Sequence, residues 1–313
     1  MRLRVFALLP VLVVGFNALS AEPIDLRVDR PASLVFLRMP YRDVAQEGPE
    51  ASLTLSWAND TKLLRQDLLE DHETASFRFR YAEPLGPKGE WEIEVPLMIR
   101  GSGLLDSYIA SWHELIGEPQ VFADRRPLGG YLLRYPGAGP VDPATGLGDI
   151  RLGYGHRLDS RLAVRGALKL PTGNSGQLLG SGGLDAGVLL DYRTDPEDLW
   201  GAYVAAGLVA QSSASRLDNV RGLVHQAAVA VSYRPNGSET WLMQWNSEAS
   251  PMITGNPASD SAHRLLTWAY RKEGRDGALE VWLSEDGDFR WVDFPGGPGF
   301  GPDVTLGLRL IRK

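Results

Sequence analysis

The side chains with the most chemical potential cluster between Gly146 and Gly183, in GLGDIRLGYGHRL, DSRLAVRGALKLPTG and NSGQLLGSGG. Arg151, Arg157, Arg161, Arg165 and Lys169 recur there at spacings that an extended chain sends to one face. Such a row can act as a positive wall that favours anionic solutes. It can equally be one side of a charge lattice completed by Asp185, Asp191 and Glu280. A narrow barrel fills its interior with side chains, and charges enclosed there must pair, so the lattice is the expected arrangement. A second group, Arg78 and Arg80 with Glu92 and Glu94, flanks a turn at Gly86. If Gly86 centres that turn, Arg80 stands opposite Glu92 and Arg78 opposite Glu94.

Catalytic chemistry finds little support. Ser111, His113 and Glu114 sit close in sequence, but adjacent helical residues do not face each other and no G-x-S-x-G elbow is present. The histidines His72, His113, His156, His225 and His263 lie far apart, with no metal-ligand spacing. PTGNSG and GSGG lack the Lys-Ser/Thr pair of a phosphate loop. No catalytic residue, metal or cofactor is therefore expected. A lipid-modifying enzyme is the least favoured of the alternatives.

The elements that must position these charges are strands. Ile150, Leu152, Tyr154 and Leu158 oppose the cationic face on one run; Leu162, Val164, Leu168 and Leu170 do so on the next. The same period of two recurs at 51–59, 76–82, 90–98 and in Leu184–Tyr192, Trp200–Ala210, Leu223–Tyr233, Glu239–Asn246, His263–Arg271, Ala278–Glu285 and Asp303–Arg312. With the opening pair this makes twelve strands. Counting Ser33–Leu37 and Tyr131–Tyr135 as wall strands would make fourteen. Long and short connections alternate, with short turns near Gly86, Ser160, Pro196, Asn236 and Gly274, as in outer-membrane barrels. Outward aromatic residues flank those short turns: Tyr81, Trp91, Tyr192, Trp200, Tyr233, Trp241 and Tyr270. Such rings collect at a membrane interface, so they are expected to form a periplasmic girdle. The longest insertion carries one amphipathic helix over 101–117, capped by Ser102, with Leu105, Ile109, Trp112 and Ile116 as its apolar stripe and Gly117 and Pro119 at its end. Its expected role is a plug or lid at the mouth, or a cover on the outer leaflet.

Composition sets the class. The 313 residues include 35 Gly and no Cys, with a formal charge of -7 that argues against a nucleic-acid partner. Residues 1–20 have a basic start at Arg2 and Arg4, an apolar core and the small-residue site Ala18-Leu19-Ser20, and read as a cleaved secretory signal. Residues 21–50 read as a leader, and 51–313 as the barrel. The predicted fold is an all-β, antiparallel transmembrane β-barrel in the outer membrane. Expected partners are outer-membrane lipid and lipopolysaccharide, the barrel-assembly machinery and an unidentified small solute. A passive channel is the leading function, ahead of a non-conducting structural or interaction barrel.

The chain resembles an outer-membrane family designated domain of unknown function 3187, and more distantly the barrels of meta-pathway phenol degradation. The resemblance runs through RPASLVFLRM at Arg30–Met39, SLTLSWAN at Ser52–Asn59, Trp91–Pro96, GSGLLDSYIASWHELIG at Gly101–Gly117, Gly146–Gly155 with its GLGD, LKLPTG at Leu168–Gly173, GSGGLD at Gly180–Asp185 and Pro302–Leu308. It implies a barrel. It implies no activity and assigns no site residues.

Overall fold

The computed structural model describes residues 23–44, 48–116, 128–194, 199–286 and 301–313. The expected signal segment, Gly117, Pro119 and the turn at Pro196 lie outside those residues.

Period-two patterning yields fifteen strand segments: β1 (Glu50–Arg65), β2 (Leu68–Leu85), β3 (Gly89–Gly101), β4 (Leu132–Tyr135), β5 (Gly139–Pro140), β6 (Ala144–Leu147), β7 (Arg151–Arg157), β8 (Leu162–Lys169), β9 (Asp185–Arg193), β10 (Trp200–Ala210), β11 (Leu223–Asn236), β12 (Glu239–Glu248), β13 (His263–Gly274), β14 (Gly277–Glu285) and β15 (Val304–Arg312). Their antiparallel ladder runs from β1 to β15 and closes where Leu53 pairs with Leu310. Segments β6 and β7 both pair with β3 and are two halves of one wall strand. Segments β4 and β5 form a small hairpin on the upper edge of β2, above the wall. The wall is thus a closed twelve-strand barrel, and Tyr131–Tyr135 belongs to the insertion.

Closure leaves no free sheet edge and sorts side chains strictly. On β14, Ala278, Glu280, Trp282 and Ser284 are buried inside while Leu279, Val281 and Leu283 are exposed outside. The outer surface is an apolar belt from Leu53 and Phe79 round to Leu308. No described helix is long and apolar enough to cross a membrane; strands do the crossing.

Three local expectations need correction. The first hairpin pairs Leu85 with Gly89, so the turn is the three residues Gly86–Lys88 rather than one centred on Gly86. Arg80 therefore stands opposite Glu94, Ala82 opposite Glu92 and Arg78 opposite Pro96. Arg161 is exposed in the turn before β8 and is not on the inner wall. Ser33–Leu37 is no strand: its first residues lie in a one-turn helix, α1 (Pro31–Leu34), started by Pro31 and completely buried.

Candidate functional site: the occupied lumen

The lumen is filled by the leader. Residues 23–44 rise from mid-barrel to the end with the long connections, turn at α1, and descend to the end with the short turns. Their height follows from their partners. Ile24 bonds to Gln244 in the middle of β12; Arg30 reaches Glu70 at the top of β2; Asp43 reaches Arg157 and Arg193 at the bottom of β7 and β9. Among the described residues, no backbone-to-backbone hydrogen bond ties this segment to the wall. Side chains hold it.

Those side chains divide the lumen into two faces. The face from β15 through β1, β2, β3, β7 and β8 is charged. Arg27 donates to Glu94 at 2.8 Å, and Arg151 reaches the same carboxylate at 2.6 Å. Arg42 and Arg165 share Glu90 at 2.9 and 2.6 Å. Asp25 takes Arg78 at 3.3 Å. The opposite face, from β9 to β14, also bears charge at Asp185, Asp191, Glu248 and Glu280, but it carries an apolar patch built partly on small residues, where Ile24, Leu26, Leu37, Met39 and Tyr41 pack against Leu189, Tyr203, Ala205, Ala228, Leu242 and Trp282. Gly187 makes the closest approach: a Cβ there would lie 2.6 Å from the Met39 sulfur. Each Arg of the leader finds a carboxylate, which is the condition for enclosing a charge at all.

Above the leader lies a roof. Ala32, Val35 and Phe36 pack with Leu68, Leu133, Tyr135, Leu178, Leu217 and Met252, drawn from the long outer connections. Tyr135 also donates to Glu70, the carboxylate that holds Arg30. Burial, with Glu70 beside it, puts the Tyr135 phenol well above its ordinary range, so it stays a donor.

The expected lattice members fall as follows. Lys169 is buried between Asp149 at 2.7 Å and Asp185 at 3.4 Å. Arg165 lies 3.8 Å from Asp191. Arg80 contacts Glu50 and, diagonally at 3.6 Å, Glu92; Arg78 is 4.0 Å from Glu94. Glu280 serves other cations, Arg271 and Arg309. Sequence reasoning missed the leader's own Asp25, Arg27, Arg30, Arg38, Arg42 and Asp43, and their wall partners Glu70, Glu90 and Glu248. The signal was present in IDLRVDR at Ile24–Arg30, where apolar and charged residues alternate.

The insertion helix does not stopper the lumen at its described end. Helix α2 (Asp106–Ile116) starts at Asp106 rather than after Ser102. Asp106 accepts from Asn59 at 2.7 Å, and the Leu105 N–H donates to Glu73. Asn59 and Glu73 lie on the outer face of β1 and β2, where the Trp57 indole also donates to Glu73 at 2.7 Å. Leu105 is buried against that face. The side chains of Ile109, Trp112 and Ile116 lie outside the described ones. Ser111 donates to the Ser107 carbonyl of its own helix, an ordinary helical back-bond.

The aromatic residues expected to form a girdle lie beside the short turns. Trp200, Tyr233, Trp241 and Tyr270 stand opposite one another on β10 to β13, with ring centroids 4.8 Å apart in two of the pairs. Tyr81 and Trp91 are 5.6 Å apart, and Tyr154 stands opposite Trp91. Tyr192 is exposed on β9, opposite Leu162. Among the described residues no group of three His or carboxylate side chains could hold a metal.

Comparison with known proteins adds a family and a fold. A family model described as Protein of unknown function (DUF3187) matches residues 37–286. No curated protein matches. The COG4313 outer membrane channel from Pseudomonas putida F1 is 13% identical with a TM-score of 0.56, over 86% of this chain and 96% of that one. The P. putida toluene transporter TodX is 12% identical with a TM-score of 0.42, over 86% and 91%. The Ralstonia pickettii toluene transporter TbuX is 11% identical with a TM-score of 0.44, over 96% and 96%.

Proposed function

Since the chain belongs to the DUF3187 family, whose description assigns no activity, we propose its function from the lumen: a passive outer-membrane channel for a small solute, gated by residues 23–44. The observation that carries this is how the leader is held. Its described residues, all buried except Asp43, lie inside the barrel and are held there through side chains, without joining the ladder. A closed wall keeps its backbone groups in its own ladder, so a lumen segment is held by side chains; such contacts can part without breaking the wall, which is what a gate requires. The apolar belt and the interfacial aromatic row support residence in the outer membrane, with lipid and lipopolysaccharide outside the barrel. The assembly machinery that inserts such barrels is the expected partner in biogenesis. The Pseudomonas protein of like architecture is itself named an outer membrane channel.

The test uses the absence of natural cysteine. In planar bilayers, Met39→Cys with Gly187→Cys should conduct when reduced and fall silent when oxidised, because the bond pins the leader to β9. A full-length chain carrying Leu37→Asp and Met39→Asp, which sets charges against the apolar face, should conduct more than wild type. Equal conductance of the oxidised and reduced forms would mean that the leader is not the gate.

A second reading is a closed barrel that carries nothing. The roof over α1 favours it, since the leader and the roof seal the same end. Silence of the Leu37→Asp, Met39→Asp variant would establish that reading.

A further inference from the structure

Resting on the channel reading, we infer that the lumen is a site for extended peptide: its solute class is a short, arginine-bearing oligopeptide, and residues 23–44 are a built-in occupant of that site.

The inference comes from which atoms the wall recognises. On the apolar face two inward glutamines act as amide clamps. Gln226 accepts from the Met39 N–H and donates to the Met39 carbonyl, both at 2.8 Å. Gln244 does the same with the Ile24 N–H and carbonyl, both at 2.9 Å. Each primary amide thus imitates the donor–acceptor pair that a neighbouring strand would present. Both glutamines are buried, where an unsatisfied amide is costly, and Gln244 also donates to Asn246 at 2.9 Å. They are built for a peptide backbone.

Charged side chains of the wall contribute to the same end. Asp185 accepts the Leu37 N–H at 2.9 Å. Arg165 donates to the Arg42 carbonyl at 2.9 Å, and Arg157 to the Val44 carbonyl at 2.9 Å. None of these contacts depends on which side chain the bound peptide carries. Side-chain selection is added by carboxylates: Glu248 takes Arg38 at 2.6 Å and Glu90 takes Arg42 in two bonds. A small hydrocarbon has no hydrogen-bonding groups and a sugar has no cation for Glu248 and Glu90, while an extended peptide with spaced arginines satisfies all of the pattern. The leader is covalently attached, so a free peptide competes against a high effective concentration and gains entry when the leader loosens.

The experiment follows uptake into proteoliposomes bearing the full-length Leu37→Asp, Met39→Asp variant, with wild type alongside. Three labelled nonapeptides are compared: FLRMPYRDV, its analogue methylated at the leucine and methionine nitrogens, and its analogue with both arginines replaced by glutamate. Arabinose-driven swelling is measured on the same vesicles, and heat-dependent gel mobility certifies each variant as folded. The parent peptide should enter about tenfold faster than either analogue, and adding Gln226→Leu should remove the part of its advantage over the methylated peptide that the methionine N–H supplies, leaving the part owed to Asp185 and the leucine N–H. If arabinose enters but the three peptides enter equally, or none does, the peptide inference falls and the channel stands. If arabinose is excluded as well, both fall. Should the glutamine variant fail to fold, the comparison of the three peptides decides alone.

Discussion

At the scale of single residues, Asp149 is where three stretches of chain meet. It accepts from Lys169 at 2.7 Å, from the Gly173 N–H at 2.8 Å and from the Ser181 N–H at 3.0 Å. It occupies the break between β6 and β7, where the pairing with β3 slips by one residue opposite Pro96, which has no N–H to give the ladder. A Cβ on Gly173 would lie 2.6 Å from the Leu179 carbonyl oxygen, so that approach requires glycine. Asp149→Ala should cost about 3 kcal/mol by urea unfolding in micelles, the low end for breaking a buried pair, because Lys169 retains Asp185. Here GLGD, LPTG and GSGG prove to be parts of one knot. Their adjacency could not be read in advance, because spacing in sequence does not say which loop folds over which break. A second residue tests the turn before β8. Asp159 accepts from the Arg161 and Leu162 N–H groups at 2.7 and 2.8 Å, and those bonds lower its pKa from 3.8. A depressed carboxyl stabilises the fold fully above its unfolded value and loses that contribution as pH falls through the folded one. The stability difference between wild type and Asp159→Ala, constant near neutrality, should therefore shrink below about pH 4.

At the scale of elements, the strands were legible and the leader was not. A wall strand declares itself because one face must be apolar for lipid and the other must suit the lumen, and His263–Arg271 or Ala278–Glu285 show that alternation directly. The leader alternates too, in IDLRVDR, but a stripe has meaning only against the face it meets. That face, half carboxylate and half alanine, is assembled from strands distant in sequence. The hairpin register was misread for a smaller reason: Pro87 and Lys88 extend the turn, so opposite residues shift by two. Helix α2 gives the prediction at this scale. Glu73→Ala removes the acceptor that joins Trp57 and the Leu105 N–H on the outer wall. Protease added outside should then clip the insertion about tenfold faster, while the barrel persists. Unchanged cleavage would place the anchor elsewhere.

At the scale of the whole molecule, the barrel closes between its first and last strands. Glu50 latches that seam, contacting Arg80 of β2 and, at 3.6 Å, Arg309 of β15. A closed ladder has no edge from which to unravel, so the folded protein should migrate differently on SDS gels before and after boiling. Identical mobility would be incompatible with the closed barrel. Glu50→Ala should lower the temperature at which the folded band disappears, because it leaves Arg309 with Glu280 alone across β14 and β15.

The leader precedes every wall strand in the chain, yet it touches β2 and β3 on one side and β12 and β13 on the other. A wall whose ends join at β1 and β15 can therefore shut around a centre already in place, as metal is cast around a core. Order of synthesis and order of enclosure run opposite: the leader is made before every wall strand and is enclosed only when the last strand joins the first. A slow step in maturation should accordingly respond to changes in Gln226 and Gln244, neither of which lies anywhere near the seam. Pulse-labelled assembly, with Gln226→Leu compared to Glu50→Ala, would separate seating of the core from joining of the wall.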